Sequence, residues 1–357
     1  MRLAARAARV LSRPRGAVLP RSNAKSIRHA HFASALRREA MKIYYADWAA
    51  VALPKGHRFP MDKYALCRTA LENDAALEGK ISLHPSPACV REDLLSTHDA
   101  AYVDRVLNLA LDDEDIRRIG FPMKRENVIR SLASTGGTIA CAKDVLGRDE
   151  TPGRPAVAAQ IAGGTHHAFR DRGEGFCVFN DIAVAINVVR NDETYGSRLR
   201  GRKILIVDLD VHQGNGTAKI FQDDAQVVTF SMHGEKNYPF KTRETSTHDV
   251  ELPDDCDDAT YLRALDDWLP RLFDEYEPAL AFFQAGVDAL RGDSFGRLAM
   301  TRQGMLKRNH AVYSMCIERN VPLCITMGGG YSKPIEASVE AHVDVFRSAA
   351  MRYGAPY

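Results

Sequence analysis

Three reactive side chains alternate along one short stretch: Asp208, Asp210 and His212, separated by Leu209 and Val211. In an extended chain all three project to one side. Two carboxylates on one buried face repel each other unless a cation or a donor lies between them. Asp210 and His212 offer one carboxylate oxygen and one imidazole nitrogen, both suitable for zinc, and a catalytic zinc takes a third protein ligand and keeps one open position. Asp288, just past Ala285-Gly286-Val287, is the best third candidate. Alone, the Asp-x-Asp-x-His pattern is as readily structural, with its acids capping helix N-termini. Its company decides the matter.

His166-His167 follows Gly163-Gly164-Thr165. Paired glycines let a backbone approach a substrate closely. A hydrolase that activates water on zinc needs a group to take the water's proton and later protonate the leaving amine. Histidine suits that task at neutral pH, provided a neighbour fixes its ring, and Asp208 and Asn215 are the available partners. A lone histidine pair would instead read as two satisfied core residues. Tyr331 ends the run Gly328-Gly329-Gly330-Tyr331. Three glycines do not stabilise a helix or strand, so they mark a loop passing close to something. A tyrosine there could donate to a developing oxyanion; the plainer reading is a surface aromatic. The run lacks the spacing and lysine of a phosphate-binding loop. In Gly173-Glu174-Gly175-Phe176-Cys177-Val178-Phe179-Asn180-Asp181, Phe176 could form one wall of an alkyl slot, and Asp181 reads as a helix cap.

These clusters need elements to hold them. Apolar runs predict strands at Ile43–Tyr45, Ala156–Ile161, Lys203–Leu209, Val227–Ser231, Ala279–Gln284 and Pro322–Thr326. Helical stretches are expected near 62–78, 97–110, 126–146, 181–190, 259–275, 302–319 and 334–349. Near-continuous apolar strands alternating with helices predict a parallel sheet covered on both faces, in one domain from about 42 to 350. Each polar cluster follows a strand's C-terminal end, including Met232-His233 after the fourth strand. Open parallel sheets place their sites at that edge, so five segments are expected to converge.

Bulk properties narrow the class. The 357 residues are 45% hydrophobic and 26% charged, an ordinary globular composition. No run of about 18 apolar residues is present, so no membrane-spanning helix is expected. Nine Arg and Lys25 against Glu39 give residues 1–40 a net charge of +9, leaving −7 for the rest of a chain of +2. A mildly acidic body offers no general attraction to nucleic acid. The Arg-rich, Ser-containing, acid-poor leader reads as an organelle transit peptide, mitochondrial rather than plastid because Arg dominates. A disordered basic tail, or a leader upstream of a start at Met41, is the alternative. Seven cysteines without a Cys-x-x-Cys pair argue against a disulfide framework or a thiolate zinc knot.

Gly-Gly-Thr-His166-His167-Ala, Gly-Glu-Gly-Phe176-Cys-Val-Phe-Asn-Asp, Asp208-Leu-Asp210-Val-His212-Gln-Gly-Asn215-Gly-Thr, Gln-Ala-Gly-Val-Asp288 and Gly-Gly-Gly-Tyr331 occur in the order found in histone deacetylases. The resemblance runs from about residue 43 to 349. With His57-Arg58-Phe59-Pro60, the sequence looks most like the class IV and bacterial-type branch. The resemblance implies a three-layer arginase-deacetylase α/β fold with a mainly parallel sheet of about eight strands. It implies zinc on Asp210, His212 and Asp288, with His167 as general base and acid. His166, held by Asp208, would assist, and Tyr331 would bind the amide carbonyl. Gly175, Phe176, Gly329 and Gly330 would line the acyl-lysine tunnel, with Phe240 or a loop neighbour opposite. It further implies structural potassium: one ion on backbone oxygens of Asp208, Asp210 and His212 with Ser231 and Met232, another at Phe221, Asp224 and Val227. Where class I members place an Asp beside the second histidine, this chain has Asn215.

The implied activity is zinc-dependent removal of acetyl or longer acyl groups from lysine Nζ in proteins. Deacetylation of polyamines or other small amides would use the same site. A non-catalytic binder of acylated lysine is disfavoured because no candidate catalytic residue is missing. A two-manganese ureohydrolase would need further His and Asp ligands that Gly-Thr-His-His does not supply.

Overall fold

The computed structural model describes residues 39–148 and 155–354. The leader expected over residues 1–40 therefore lies outside the described residues, apart from its last two. Eight strands build one sheet: β1 (Met41–Tyr45), β2 (Ile81–Pro85), β3 (Val157–Ile161), β4 (Ile204–Asp208), β5 (Val227–Gly234), β6 (His248–Leu252), β7 (Leu280–Gln284) and β8 (Leu323–Thr326). Their order is β2-β1-β3-β8-β7-β4-β5-β6, and every pairing is parallel. This is the three-layer α/β arginase-deacetylase architecture that the resemblance implies.

The inner strands are those legible as apolar runs. Every residue of β3, β4, β7 and β8 is buried, as helices on both faces of a parallel sheet require. Phe282 and Phe283 on β7 are wholly buried, each worth about 1.5–3 kcal/mol relative to exposure. The edge strands β2 (Ile-Ser-Leu-His-Pro) and β6 (His-Asp-Val-Glu-Leu) went unpredicted. They are half-buried and mix polar with apolar residues, so neither presents an apolar run.

The long helix Arg125–Gly147 packs so tightly that a Cβ on Gly136 would meet the Pro87 carbonyl at 2.1 Å, and one on Gly137 the Gln160 side chain at 2.0 Å. The expected 62–78 helix stops at Glu72 and resumes as a 3-10 turn over Ala75–Leu77. The expected 97–110 helix is shorter, Ala100–Leu107. Short helices at Arg91–Leu95, Asp113–Ile119, Gly196–Leu199 and Asn215–Phe221 were not anticipated. No helix among the described residues is long and apolar enough to cross a membrane.

The neighbours β3, β8, β7 and β4 sit side by side, and their C-terminal exits carry His166-His167, Tyr331, Asp288 and Asp210-His212 respectively. The fifth expected segment does not join them. β5 continues through Met232 and His233 to Gly234, and His233 bonds Ser231 Oγ at 3.0 Å within the strand.

Candidate active site

β4 ends at Asp208, where Leu209 N–H still donates to Gln284 O at 3.1 Å. Beyond it the extended-chain reading fails. The side chains of Asp208 and Asp210 each accept the N–H two residues on, at 3.1 Å, and such Asx turns bend the backbone. The bend aims Asp208 at His166 and swings Asp210 and His212 towards the exit of β7.

There they meet Asp288. One ligand atom from each of Asp210, His212 and Asp288 lies within 4.8 Å of the others, and all three residues are buried. His212 Nδ1 is 2.9 Å from Asp210 Oδ1 and 3.2 Å from Asp288 Oδ2. The remaining oxygens are held by backbone: Val211 N–H donates to Asp288 Oδ1 at 2.9 Å and Gly329 N–H to Asp210 Oδ2 at 2.8 Å. Asp288 Oδ2 is buried with no hydrogen-bond donor of its own, and buried oxygens are rarely left so. Two carboxylates and an imidazole around that oxygen fit a divalent zinc-type ion with room for an exchangeable ligand. Glycine makes the cradle. A Cβ on Gly286 would lie 2.2 Å from Asp210 Oδ2, and one on Gly329 would lie 2.0 Å from Asp288 Oδ2.

The electrostatics suit a cation. Burial disfavours charge on His212, but the carboxylates of Asp210 and Asp288 outweigh it and push the ring up to about 10. Burial raises Asp288 to about 7, reinforced by Asp210 and opposed by His212. Without a metal, the pair of acids holds a proton on imidazole where it would hold an ion.

The two histidines differ in environment. His166 Nδ1 lies 2.7 Å from Asp208 Oδ2. Burial opposes its charge, but Asp208 and Asp210 raise its pKa. His167 Nδ1 lies 2.7 Å from Asn215 Oδ1. The Asn215 amide nitrogen donates to Thr242 O at 2.8 Å, which turns its oxygen to the ring. His167 therefore carries its proton on Nδ1 and presents Nε2 as the basic nitrogen. Burial, then the neighbouring His166 and His212, hold His167 well below the usual histidine range. Their surroundings push the two rings in opposite directions, His166 towards the charged form and His167 towards the free base, with 4.1 Å between ring centres.

Tyr331 hangs from the glycine run by its N–H, which donates to Asp293 Oδ2 at 2.6 Å. Burial, then Asp288 and Asp210, raise its hydroxyl well above the ordinary value, so it stays a neutral donor. The buried Lys63 reaches the same loop: its ammonium donates to the Gly328 and Gly330 carbonyls, each at 3.3 Å, and lies 4.9 Å from the Tyr331 ring centre.

A slot opens beside these groups, lined among others by Phe59, Gly175, Phe176, His167, Gly329 and Tyr331. Phe176 adopts a left-handed backbone with φ +67° after Gly175 at +54°, a conformation an aromatic residue rarely takes outside functional sites. It aims the ring at Phe59, 5.2 Å away, and at Phe121, 5.3 Å away. Two expectations are corrected. Gly330 does not face the slot: its Cα side meets Val287, His342 and Ser338 behind the loop. Of Phe240 and its loop neighbours, a neighbour takes the inner place: Phe240 is 76% exposed, and the Tyr238 ring lies 4.9 Å from that of His167. Asp181 is no cap either: Asn180 caps the helix, while Asp181 accepts the N–H groups of Gly164 at 3.1 Å and Thr165 at 2.7 Å. It thereby shapes the turn that presents His166-His167.

Tyr238, Lys63, Asp293 and Glu174 escaped the sequence reading. Glu174 lay inside a quoted motif, where an acid between two glycines was the available signal. Of the residues expected around potassium, Ser231 pairs in register with Asp208, and Met232 follows it in β5. The Phe221 and Asp224 carbonyls accept from Asp224 and Val227 at 3.0 and 3.2 Å.

Residues 57–346 match the histone deacetylase domain family. An uncharacterized protein of Picosynechococcus sp. is 39% identical over 307 residues, covering 86% of this chain and 97% of that protein. Histone deacetylase 2 of Arabidopsis thaliana is 31% identical over 299 residues, covering 80% and 73% respectively. Among solved structures, a histone deacetylase homologue from Aquifex aeolicus superposes with a TM-score of 0.71 at 22% identity, covering 88% of this chain and 84% of that one. An acetylpolyamine aminohydrolase from Burkholderia pseudomallei also gives 0.71, at 19% identity and 87% and 99% coverage. Similarity this remote speaks to the fold.

Proposed function

This chain belongs to the histone deacetylase family of hydrolases, and from that premise we propose that it is a zinc-dependent deacylase acting on the acylated Nζ of lysine in proteins, closest in kind to class IV. The observation that carries the reading is the convergence of a metal-capable Asp210-His212-Asp288 set with a neutral His167 whose Nδ1 is already tied down.

Asp210, His212 and Asp288 would hold the zinc. When bound there, zinc polarises the amide carbonyl and acidifies water. His167 takes the attacking water's proton on Nε2 and later delivers it to the leaving amine. Its depressed basicity keeps it a free base at neutral pH. His166, oriented by Asp208, has its charged form favoured by the two carboxylates near it and assists electrostatically. Tyr331 donates its hydroxyl hydrogen to that oxygen as charge develops. Phe59 and Phe176 flank the acyl-lysine stem and keep water from it. Structural potassium belongs to the same reading and rests on the family resemblance alone.

The polyamine alternative calls for an acidic rim. Next to the lining Phe59 the exposed Arg58 places its guanidinium 5.1 Å from the centre of the Phe295 ring, and a guanidinium repels a polycation. The deciding experiment is a panel of acetyl- to myristoyl-lysine peptides and acetylpolyamines, with and without chelator. Chelator-sensitive cleavage of acyl-lysine is expected, and binding without turnover would leave only an acyl-lysine binder. The basic leader completes the proposal as a mitochondrial transit peptide. Residues 1–40 fused to a fluorescent protein should carry it into that organelle.

A further inference from the structure

Arg308 is fully buried. It sits on the helix Arg302–Glu318 that connects β7 to β8 and begins at the Thr301 cap. All five guanidinium N–H donors are used, and every acceptor is uncharged. Nη1 donates to Leu209 O at 3.2 Å and Gly286 O at 2.5 Å. Nη2 donates to Ala285 O at 3.5 Å and Asn309 Oδ1 at 2.8 Å, and Nε to the same Asn309 oxygen at 3.1 Å. A buried cation bonded only to neutral acceptors is costly, so a compensating role is to be sought in what it touches.

What it touches is specific. Leu209 immediately precedes Asp210, and Ala285 and Gly286 lead to Asp288. One rigid, planar fork thus joins the two turns that carry the two carboxylates of the candidate metal centre, from the side of their backbone carbonyls. The face of Gly286 is pressed against Asp210 Oδ2, where no Cβ would fit. The spacing of the two carboxylates therefore depends on the spacing of these turns. Lys63 repeats the device on the third loop, where its buried ammonium binds the Gly328 and Gly330 carbonyls on either side of Gly329, the donor to Asp210.

We propose that Arg308 is the positioning residue of the metal centre: it clamps the Asp210 and Asp288 turns together, so that the ligands stand at metal-binding distance before an ion arrives. The inference rests on the reading of Asp210, His212 and Asp288 as metal ligands. It requires a fork rather than a charge alone, because a lysine ammonium cannot span both turns with the same fixed geometry.

The test uses Co²⁺ as a spectroscopic probe of the full chain, with affinity from competition against a chromophoric chelator and geometry from the visible band. Arg308→Met should lower Co²⁺ affinity at least tenfold and change the band, in protein whose metal-free circular dichroism matches the wild type. Arg308→Lys, which keeps the charge and is the milder change, should fall between and carries the test if the Met variant does not fold. Folded variants with wild-type affinity and an unchanged band would overturn the proposal, even if turnover falls. A wild-type chain that takes up no Co²⁺ would overturn the ligand reading itself, a failure distinguishable because it needs no variant.

Discussion

His167 Nδ1 and Asn215 Oδ1 stand 2.7 Å apart, joining a buried imidazole to a neutral amide. An amide oxygen fixes the tautomer as a carboxylate would, but offers no full negative charge to an imidazolium. Burial and the adjacent His166 and His212 already hold His167 far below its ordinary range. The working form is the free base, so activity should fall only as pH drops through that depressed value. Asn215→Asp adds a charge that favours the protonated ring. The acidic limb of kcat/KM should move to higher pH. A pH-rate series on both proteins reads this directly, and an unmoved limb would remove Asn215 from control of the base.

Tyr331 supplies a hydroxyl that burial and the nearby Asp288 and Asp210 keep protonated. Tyr331→Phe keeps the ring packed against Phe295, 4.8 Å away, and removes the donor alone. Turnover should drop about 10²–10³-fold, the size of losing one oxyanion donor, while zinc content measured by plasma emission stays at the wild-type level. Near-normal turnover would exclude the hydroxyl from the reaction.

Metal uptake should expel a proton. In the metal-free chain the two carboxylates push His212 up to about 10, so between about pH 7 and 9 the ring is charged and must lose its proton to become a ligand. Apparent zinc affinity should therefore weaken as pH falls, by roughly tenfold per unit within that window. Calorimetric titrations in buffers of different ionisation enthalpy should show about one proton released per ion. No buffer dependence would mean that the ring is already neutral.

How much of this was readable beforehand follows from which forces leave a mark in sequence. The inner strands are apolar because both faces are covered, and their exits carry the unusual residues, so the Asp210, His212, Asp288, His167 and Tyr331 assembly could be named without coordinates. The edge strands β2 and β6 left no such mark. Neither did Arg308 or Lys63, which sit inside helices and read as ordinary surface cations until burial reveals otherwise. The alternation of Asp208, Asp210 and His212 suggested one extended run, whereas Asx turns rather than a strand aim these side chains. The choice between Phe240 and its loop neighbours stayed open because loop register is not legible from a motif; the inward ring is Tyr238, two residues earlier.

Gly329 should be needed for its missing side chain alone. Its φ lies outside the left-handed region, yet a Cβ there would sit 2.0 Å from Asp288 Oδ2 and 2.9 Å from Asp210 Oδ2. Gly329→Ala should displace a ligand oxygen without unfolding the chain. Dialysed protein should retain less than a tenth of the wild-type zinc, with little change in circular dichroism. Full zinc occupancy would show that the ligands can retreat from an added methyl.

Glu174 is 3% exposed and gathers three donors onto one oxygen. Tyr238 hydroxyl donates to it in a short bond, Thr242 Oγ1 at 2.5 Å, and the Asn215 amide approaches at 3.4 Å. It thus ties the aromatic wall beside His167 to the amide that orients His167. Glu174→Gln keeps the shape and one accepting oxygen but removes the charge, so the three bonds lose their charge assistance. A loss of about 1 kcal/mol in chemical denaturation is expected, the difference between hydrogen bonds to charged and to neutral acceptors, with a fall of several-fold in kcat/KM by the same free-energy scale. Tyr238→Phe removes the shortest of the three bonds, and the two changes should then be far from additive. A double-mutant cycle read in both stability and kcat/KM checks this. Additive losses would mean that Glu174 and Tyr238 act separately, and that the place of the Tyr238 ring beside His167 is set by packing rather than by this carboxylate.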